Sequence, residues 1–124
     1  MSKDYSKQFH DFSKEAVRLQ SGQAAANLKK SMRELSGDLS DAEDWPNFVE
    51  LNELRIEIGE MLNDTQLQKF GYRAVDKALL GQVRLGNKPW SDLEAFGERQ
   101  IEFGKRIGDI ESQEYGYGLS LIHI

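Results

Sequence analysis

The chain has 124 residues, a formal charge of −5 and no cysteine. That length suits one domain with a real core, and the lack of cysteine excludes a disulfide framework, a thiolate metal site and a cysteine nucleophile. No apolar run approaches the roughly 18 residues of a membrane span, and the segment from Met1 to Lys7 lacks the apolar stretch of a signal peptide, so a soluble, cytoplasmic protein with no membrane partner is expected.

Tyr5, Phe9, Phe12, Ala16 and Leu19 recur at helical spacing and mark one stripe of a first amphipathic helix. Ser21-Gly22 interrupts it. Ala25, Leu28, Met32 and Leu35 start a second stripe, which Gly37 is expected to stop in the left-handed conformation. Residues 37–45 then read as a polar loop. Pro46 suits a first helical turn, and Phe48, Leu51, Leu54, Ile58, Met61 and Leu62 form the third helix. Thr65 with Gln68 has capping-box spacing and opens a fourth. Its broad apolar face runs through Leu67, Phe70, Ala74, Val75, Ala78, Leu79 and Val83 to an end at Gly86. Ser91 with Glu94 is a second capping box. Leu93, Phe96, Phe103, Ile107 and Ile110 carry the fifth helix, and a sixth is expected near Glu111. Arg55–Gly59 and Gln100–Gly104 alternate polar and apolar residues, but each lies within a longer run of helical spacing and good helix formers. Short loops make sequential helices antiparallel neighbours. The expected fold is all-α, built of antiparallel helical hairpins, either repeat-like or closed into a bundle.

Residues 45–72 and 90–117 align without a gap at an offset of 45, with 9 identities in 28 positions. Average composition gives roughly one or two by chance. The shared residues are Trp45/Trp90, Glu53/Glu98, Ile56/Ile101, Glu57/Glu102, Gly59/Gly104, Asp64/Asp109, Gln68/Gln113, Gly71/Gly116 and Tyr72/Tyr117. We read residues 1–118 as one domain. Within it, 1–44 is a degenerate first hairpin, 45–86 a second, and 90–118 an incomplete third. Residues 119–124, Leu-Ser-Leu-Ile-His-Ile, match the translation of a transposase adapter sequence used in DNA library preparation. They read as a non-native tail, with native sequence missing after Gly118. The period lies in the range of the larger two-helix repeats and differs from the tetratricopeptide spacing.

The repeated glycines carry a physical expectation. A glycine inside a helix costs about 1 kcal/mol against alanine. Gly59, Gly71, Gly104 and Gly116 recur at fixed offsets, so they mark places where neighbouring helices exclude a Cβ. Gly71→Leu is expected to overpack that contact.

The chemistry-bearing residues are sparse. Glu57 and Glu102 occur one per repeat, each with a glutamate four residues earlier. That reads as an acidic ridge rather than an acid–base pair. No Glu-x-x-His is present, which excludes the usual carboxylate-bridged metal centre of helical bundles. The acidic stretch from Asp38 to Asp44 lacks calcium-loop spacing. No phosphate loop or serine nucleophile motif is found. Catalytic, cofactor and metal residues are therefore none. Tyr72 and Tyr117 follow the glycines, with Phe70 and Tyr115 two earlier. One of each pair is expected in the core and the other outside, and an exposed row of Tyr72 and Tyr117 would join Glu57 and Glu102 as candidate partner-contacting residues.

Charge is uneven along the chain. Residues 1–36 carry seven Lys/Arg against four Asp/Glu, and residues 37–118 carry nine against seventeen. The acidic portion argues against nucleic acid as a partner, because binding phosphates needs a positive field. The leading expectation is a non-enzymatic helical module or scaffold that binds another protein or itself. A second is an acidic regulator that blocks a nucleic-acid-binding protein. A third, an enzyme acting on small molecules, would need a pocket gathering Glu57, Arg55 and Tyr72.

Overall fold

A computed structural model describes residues 4–19, 23–110, 112, 113 and 116. The protein is all-α. Its helices are α1 (Ser6–Arg18), α2 (Gln23–Asp41), α3 (Trp45–Met61), α4 (Thr65–Arg84) and α5 (Trp90–Ile107). Ile110, Ser112, Gln113 and Gly116 are also helical. The contacts divide the chain into two compact units, Met1–Val75 and Asp76–Ile124, with the boundary inside α4. The interruption read at Ser21-Gly22 and the tail at 119–124 lie outside the described residues.

In the first unit, α1 packs on α2 and α3, and α2 packs on α3. The core is drawn from Phe9 and Ala16 of α1, Leu28, Met32, Leu35 and Leu39 of α2, Phe48, Leu51, Ile56 and Ile58 of α3, and Leu67, Tyr72 and Val75 of α4. Trp45 begins α3 and meets Phe48 edge-on, with ring centroids 5.4 Å apart. In the second unit, Ala78, Leu79 and Val83 of α4 are buried, as are Leu93, Phe96 and Phe103 of α5.

Four helices end in one way. One residue past α5 and two past α2, α3 and α4, the chain takes a left-handed conformation, at Glu43 (φ 54°), Asn63 (φ 54°), Gly86 (φ 79°) and Gly108 (φ 69°). The next residue then donates its N–H five residues back. These bonds run Asp44 to Leu39 O, Asp64 to Gly59 O, Asn87 to Gln82 O and Asp109 to Gly104 O, at 2.8–2.9 Å. This is the Schellman closure, which satisfies carbonyls a helix end would otherwise orphan.

Three of these closures deliver an aspartate that also caps the following helix. Asp64 Oδ1 accepts from Leu67 N at 3.0 Å. Asp109 Oδ2 accepts from Ser112 N at 3.2 Å, and Asp44 accepts from Asn47 N at the longer distance of 3.5 Å.

Several sequence expectations are corrected here. Gly37 does not stop α2, which runs on to Asp41; the left-handed residue is Glu43. Residues 37–41 are therefore helical, and only Ala42–Asp44 turn. Thr65 is not the cap of α4, since Asp64 already fills that role. Ser91 is already inside α5, whose N-cap position is Pro89, with no side-chain cap. Ile110 lies beyond α5, because Gly108 closes that helix.

The repeated glycines sit at two equivalent corners. A Cβ built on Gly59 would meet Gln68 Cγ at 2.6 Å and Asp64 O at 3.0 Å; on Gly104 it would meet Gln113 Cγ at 2.8 Å and Asp109 O at 2.9 Å. On Gly71 it would strike Asn52 O and Ile56 Cγ1, both at 2.7 Å; on Gly116 it would strike Gly97 O at 2.5 Å and Ile101 Cγ1 at 2.6 Å. Every partner of one set is the partner of the other displaced by 45 positions. The pairings 59–68 and 52/56–71 run in opposite directions along the chain, which makes α3 and α4 an antiparallel pair.

Candidate functional site

Helix α3 has two faces of opposite character. Phe48, Leu51, Asn52, Arg55, Ile56, Ile58 and Gly59 are buried. Glu50, Glu53, Glu57 and Glu60 are spaced by three, four and three residues, which puts them on one stripe. Glu50, Glu57 and Glu60 are exposed, and Glu53 is half-buried. Among the described residues, Glu50, Glu57 and Glu60 make no ion pair. At a rise of 1.5 Å per residue, the stripe is about 15 Å long.

The C-terminal end of that stripe lies near an open depression of about 450 Å³ lined by Ala16, Val17, Leu19, Met61, Leu62 and Asn63. Val17 is 72% exposed and Met61 46% exposed. Met61, which lines it, follows Glu60 directly and lies one turn after Glu57, so the acidic stripe ends next to a lining residue. The site joins Glu50, Glu57 and Glu60, which make no ion pair among the described residues, to two exposed apolar side chains.

Lys29 of α2 secures the corner below it. Its Nζ lies 2.9 Å from Asp64 Oδ2. Burial pushes the Asp64 carboxyl up, but the Lys29 bond and charge, with the N–H groups of Leu67 and Gln66, outweigh it and hold the group below the usual carboxylate range. One carboxylate thus caps α4 and ties α2 to the α3–α4 turn.

Behind the acidic row runs a buried polar chain. Asn52 Nδ2 donates to Ser36 Oγ at 3.1 Å and to Phe48 O at 2.9 Å. Arg55 Nη1 donates to Asn52 Oδ1 at 2.9 Å, and its guanidinium lies 5.8 Å from the centre of the Phe70 ring. Burial lowers the Arg55 pKa, with a further push from Arg33. Arg55 Nε has no partner. Ser36 Oγ meets the Asn52 amide, which is not a base, and among the described residues no three His, Cys, Asp or Glu gather to hold a metal.

The candidate contact residues separate on inspection. Glu57 and Glu102 are both exposed, and Glu102 lies 4.0 Å from Lys105 Nζ. Tyr72 is 3% exposed, so its ring belongs to the core and not to a contact surface. Phe70, two residues earlier, is the exposed member, at 45%. Tyr117 lies outside the described residues. Arg55 and Tyr72 are buried while Glu57 faces solvent, so the three do not converge on a pocket.

The periodicity reading passed over Val17, Asn52, Asp76 and Gln100. A signal existed for the last three. Asn52 lies four residues from both Phe48 and Ile56, and Gln100 falls between Phe96 and Phe103. A polar residue at a core-stripe position is itself the flag. Comparison with protein-family models, curated proteins and solved structures gave no match.

Proposed function

We propose that this protein is a non-enzymatic interaction module that docks a basic segment of another protein along the outer face of α3. The observation behind this reading is the row of Glu50, Glu57 and Glu60, without ion pairs among the described residues, ending near the exposed Val17 and Met61. A partner helix carrying lysines or arginines and one or two apolar anchors matches both parts. The carboxylates set approach and register, and apolar burial supplies most of the affinity.

The acidic row also bears on the reading of a regulator that imitates nucleic acid. That reading needs a continuous acidic field, and α4 carries Lys69, Arg73, Lys77 and Arg84 against Asp76. Peptide docking needs only one helix face, so it fits better. Self-association is the remaining partner class, and it is separated from docking by measuring the oligomeric state with and without peptide.

The test is a titration of the full chain with a short synthetic amphipathic peptide of lysine and leucine, followed by NMR chemical shifts. Shifts are expected at Glu50–Asn63 and Ala16–Leu19, and to weaken with added salt. Glu57→Lys with Glu60→Lys should raise Kd about tenfold or more, equivalent to ~1.4 kcal/mol. Met61→Asp should do likewise. Shifts confined to other surfaces, or affinity indifferent to these changes, would overturn the proposal.

A further inference from the structure

Asp76 of α4 and Gln100 of α5 belong to the second unit, and both are buried, at 8% and 1% exposure. Burying a carboxyl is costly unless a donor or a cation meets it. Here neither Asp76 oxygen has a partner in hydrogen-bonding geometry, and Gln100 Oε1 also lacks one. Three buried acceptor oxygens are therefore left without a well-formed bond, and the Gln100 amide N–H is the one donor that bears on Asp76, only weakly.

The charged neighbours do not relieve this. On α4 they are Arg73, one turn earlier, and Lys77, the exposed next residue. On α5 they are Glu98, which is exposed, and Arg99, whose guanidinium lies 5.1 Å from the Phe96 ring centre. None of them moves the Asp76 carboxyl; burial and Gln100 are the only influences on it.

An ionised carboxylate only accepts hydrogen bonds, whereas a protonated one also donates. We propose that Asp76 holds a proton in the folded chain and donates it to Gln100 Oε1, forming a latch between α4 and α5 that deprotonation opens. A single proton removes the buried charge and, with the Gln100 amide turned end for end, also gives Gln100 Oε1 a donor.

The electrostatics agree with the geometry. Burial raises the Asp76 pKa from 3.8 to about 7, with Gln100 acting more weakly in the opposite direction. The sign follows from linkage. With the folded pKa above the unfolded one, the latch costs nothing at pH values below the ordinary carboxylate range. Stability is then lost as pH rises toward 7 and levels off above it. The folding constant changes by up to about a thousandfold across that window. The fold thus contains a device that responds close to neutral pH, separate from the surface of α3.

The test compares thermal unfolding of the wild-type chain and Asp76→Asn from pH 4 to 8.5, alongside the carbon-13 titration of the Asp76 carboxyl. The wild type should lose melting temperature as pH rises, and Asp76→Asn should lack that component. His10, exposed in both proteins, cancels in the comparison. The carboxyl should titrate near neutrality. Superimposable pH profiles, or a carboxyl midpoint near 4, would overturn the proposal. If Asp76→Asn fails to fold, the wild-type titration decides alone.

Discussion

Gly71→Ala and Gly37→Ala add the same methyl group to helix interiors of the same unit, and the structure gives them opposite signs. At Gly71 the new carbon would lie 2.7 Å from both Asn52 O and Ile56 Cγ1, and 3.2 Å from Ile56 N. Ordinary van der Waals contact begins near 3.4 Å. The backbone of α3 must therefore retreat by about 0.7 Å, since a main-chain oxygen cannot rotate away. Overpacking of this kind costs about 1–3 kcal/mol, and the better helix propensity of alanine returns about 1 kcal/mol. Because two of the clashes are with main-chain atoms, the cost falls in the upper half of that range, and net destabilisation of about 1–2 kcal/mol is expected. Gly37 has nothing within 4 Å. There only the propensity term acts, and stability should rise by up to about 1 kcal/mol. Urea unfolding followed by Trp45 fluorescence in a Trp90→Phe background reads both variants in the first unit. A Gly71→Ala protein as stable as wild type, or two shifts of the same sign, would refute the packing argument.

Other outcomes follow from the same geometry. Glu43→Gly should raise the melting temperature, because Glu43 holds φ at 54° and a left-handed L-residue costs about 1–2 kcal/mol; no gain would mean the turn is not strained. Asp64→Ala removes a helix cap and the Lys29 ion pair together, and should cost about 1–2 kcal/mol in denaturant unfolding at pH 7. Because the Asp64 pKa is lowered in the folded chain, that difference should be present at neutral pH and shrink as pH falls through the folded value. Arg55→Met leaves Asn52 Oδ1 buried without its donor, and should cost about 1–3 kcal/mol with binding at α3 unchanged.

The helices were legible where apolar spacing was unambiguous, and their ends were not. Gly37 looked like a stop because glycine favours the left-handed conformation. The stop is set instead by the backbone bond from Asp44 to Leu39, which places Glu43 in that conformation despite its side chain. The two capping boxes misled for a related reason. Asp64 had already capped α4 as part of the closure of α3, and at α5 the cap position fell on Pro89, which has no acceptor side chain. Phe70 and Tyr72 cannot both face one side, and spacing alone does not say which of them is buried. The buried face of α4 turned out to include Gly71, Tyr72, Val75 and Asp76, so Phe70 was the residue left outside. The acidic ridge was readable from Glu57 and its neighbour four residues earlier. Its apolar end was not, because Val17 and Met61 come together only when α1 lies beside the end of α3.

The corner built from Ile56, Gly59, Asp64, Gln68 and Gly71 closes on itself. Gln68 Nε2 donates to Asp64 O at 3.3 Å, and Gln113 Nε2 repeats the bond to Asp109 O at 3.4 Å. Its contacts lie within about twenty consecutive residues, so it asks little of the surrounding core. Such a part is transferable. Grafted as a block between two unrelated helices, it should impose its own turn angle and spacing. Inserting even one residue between Gly59 and Asp64 should wind the second helix onto the wrong face.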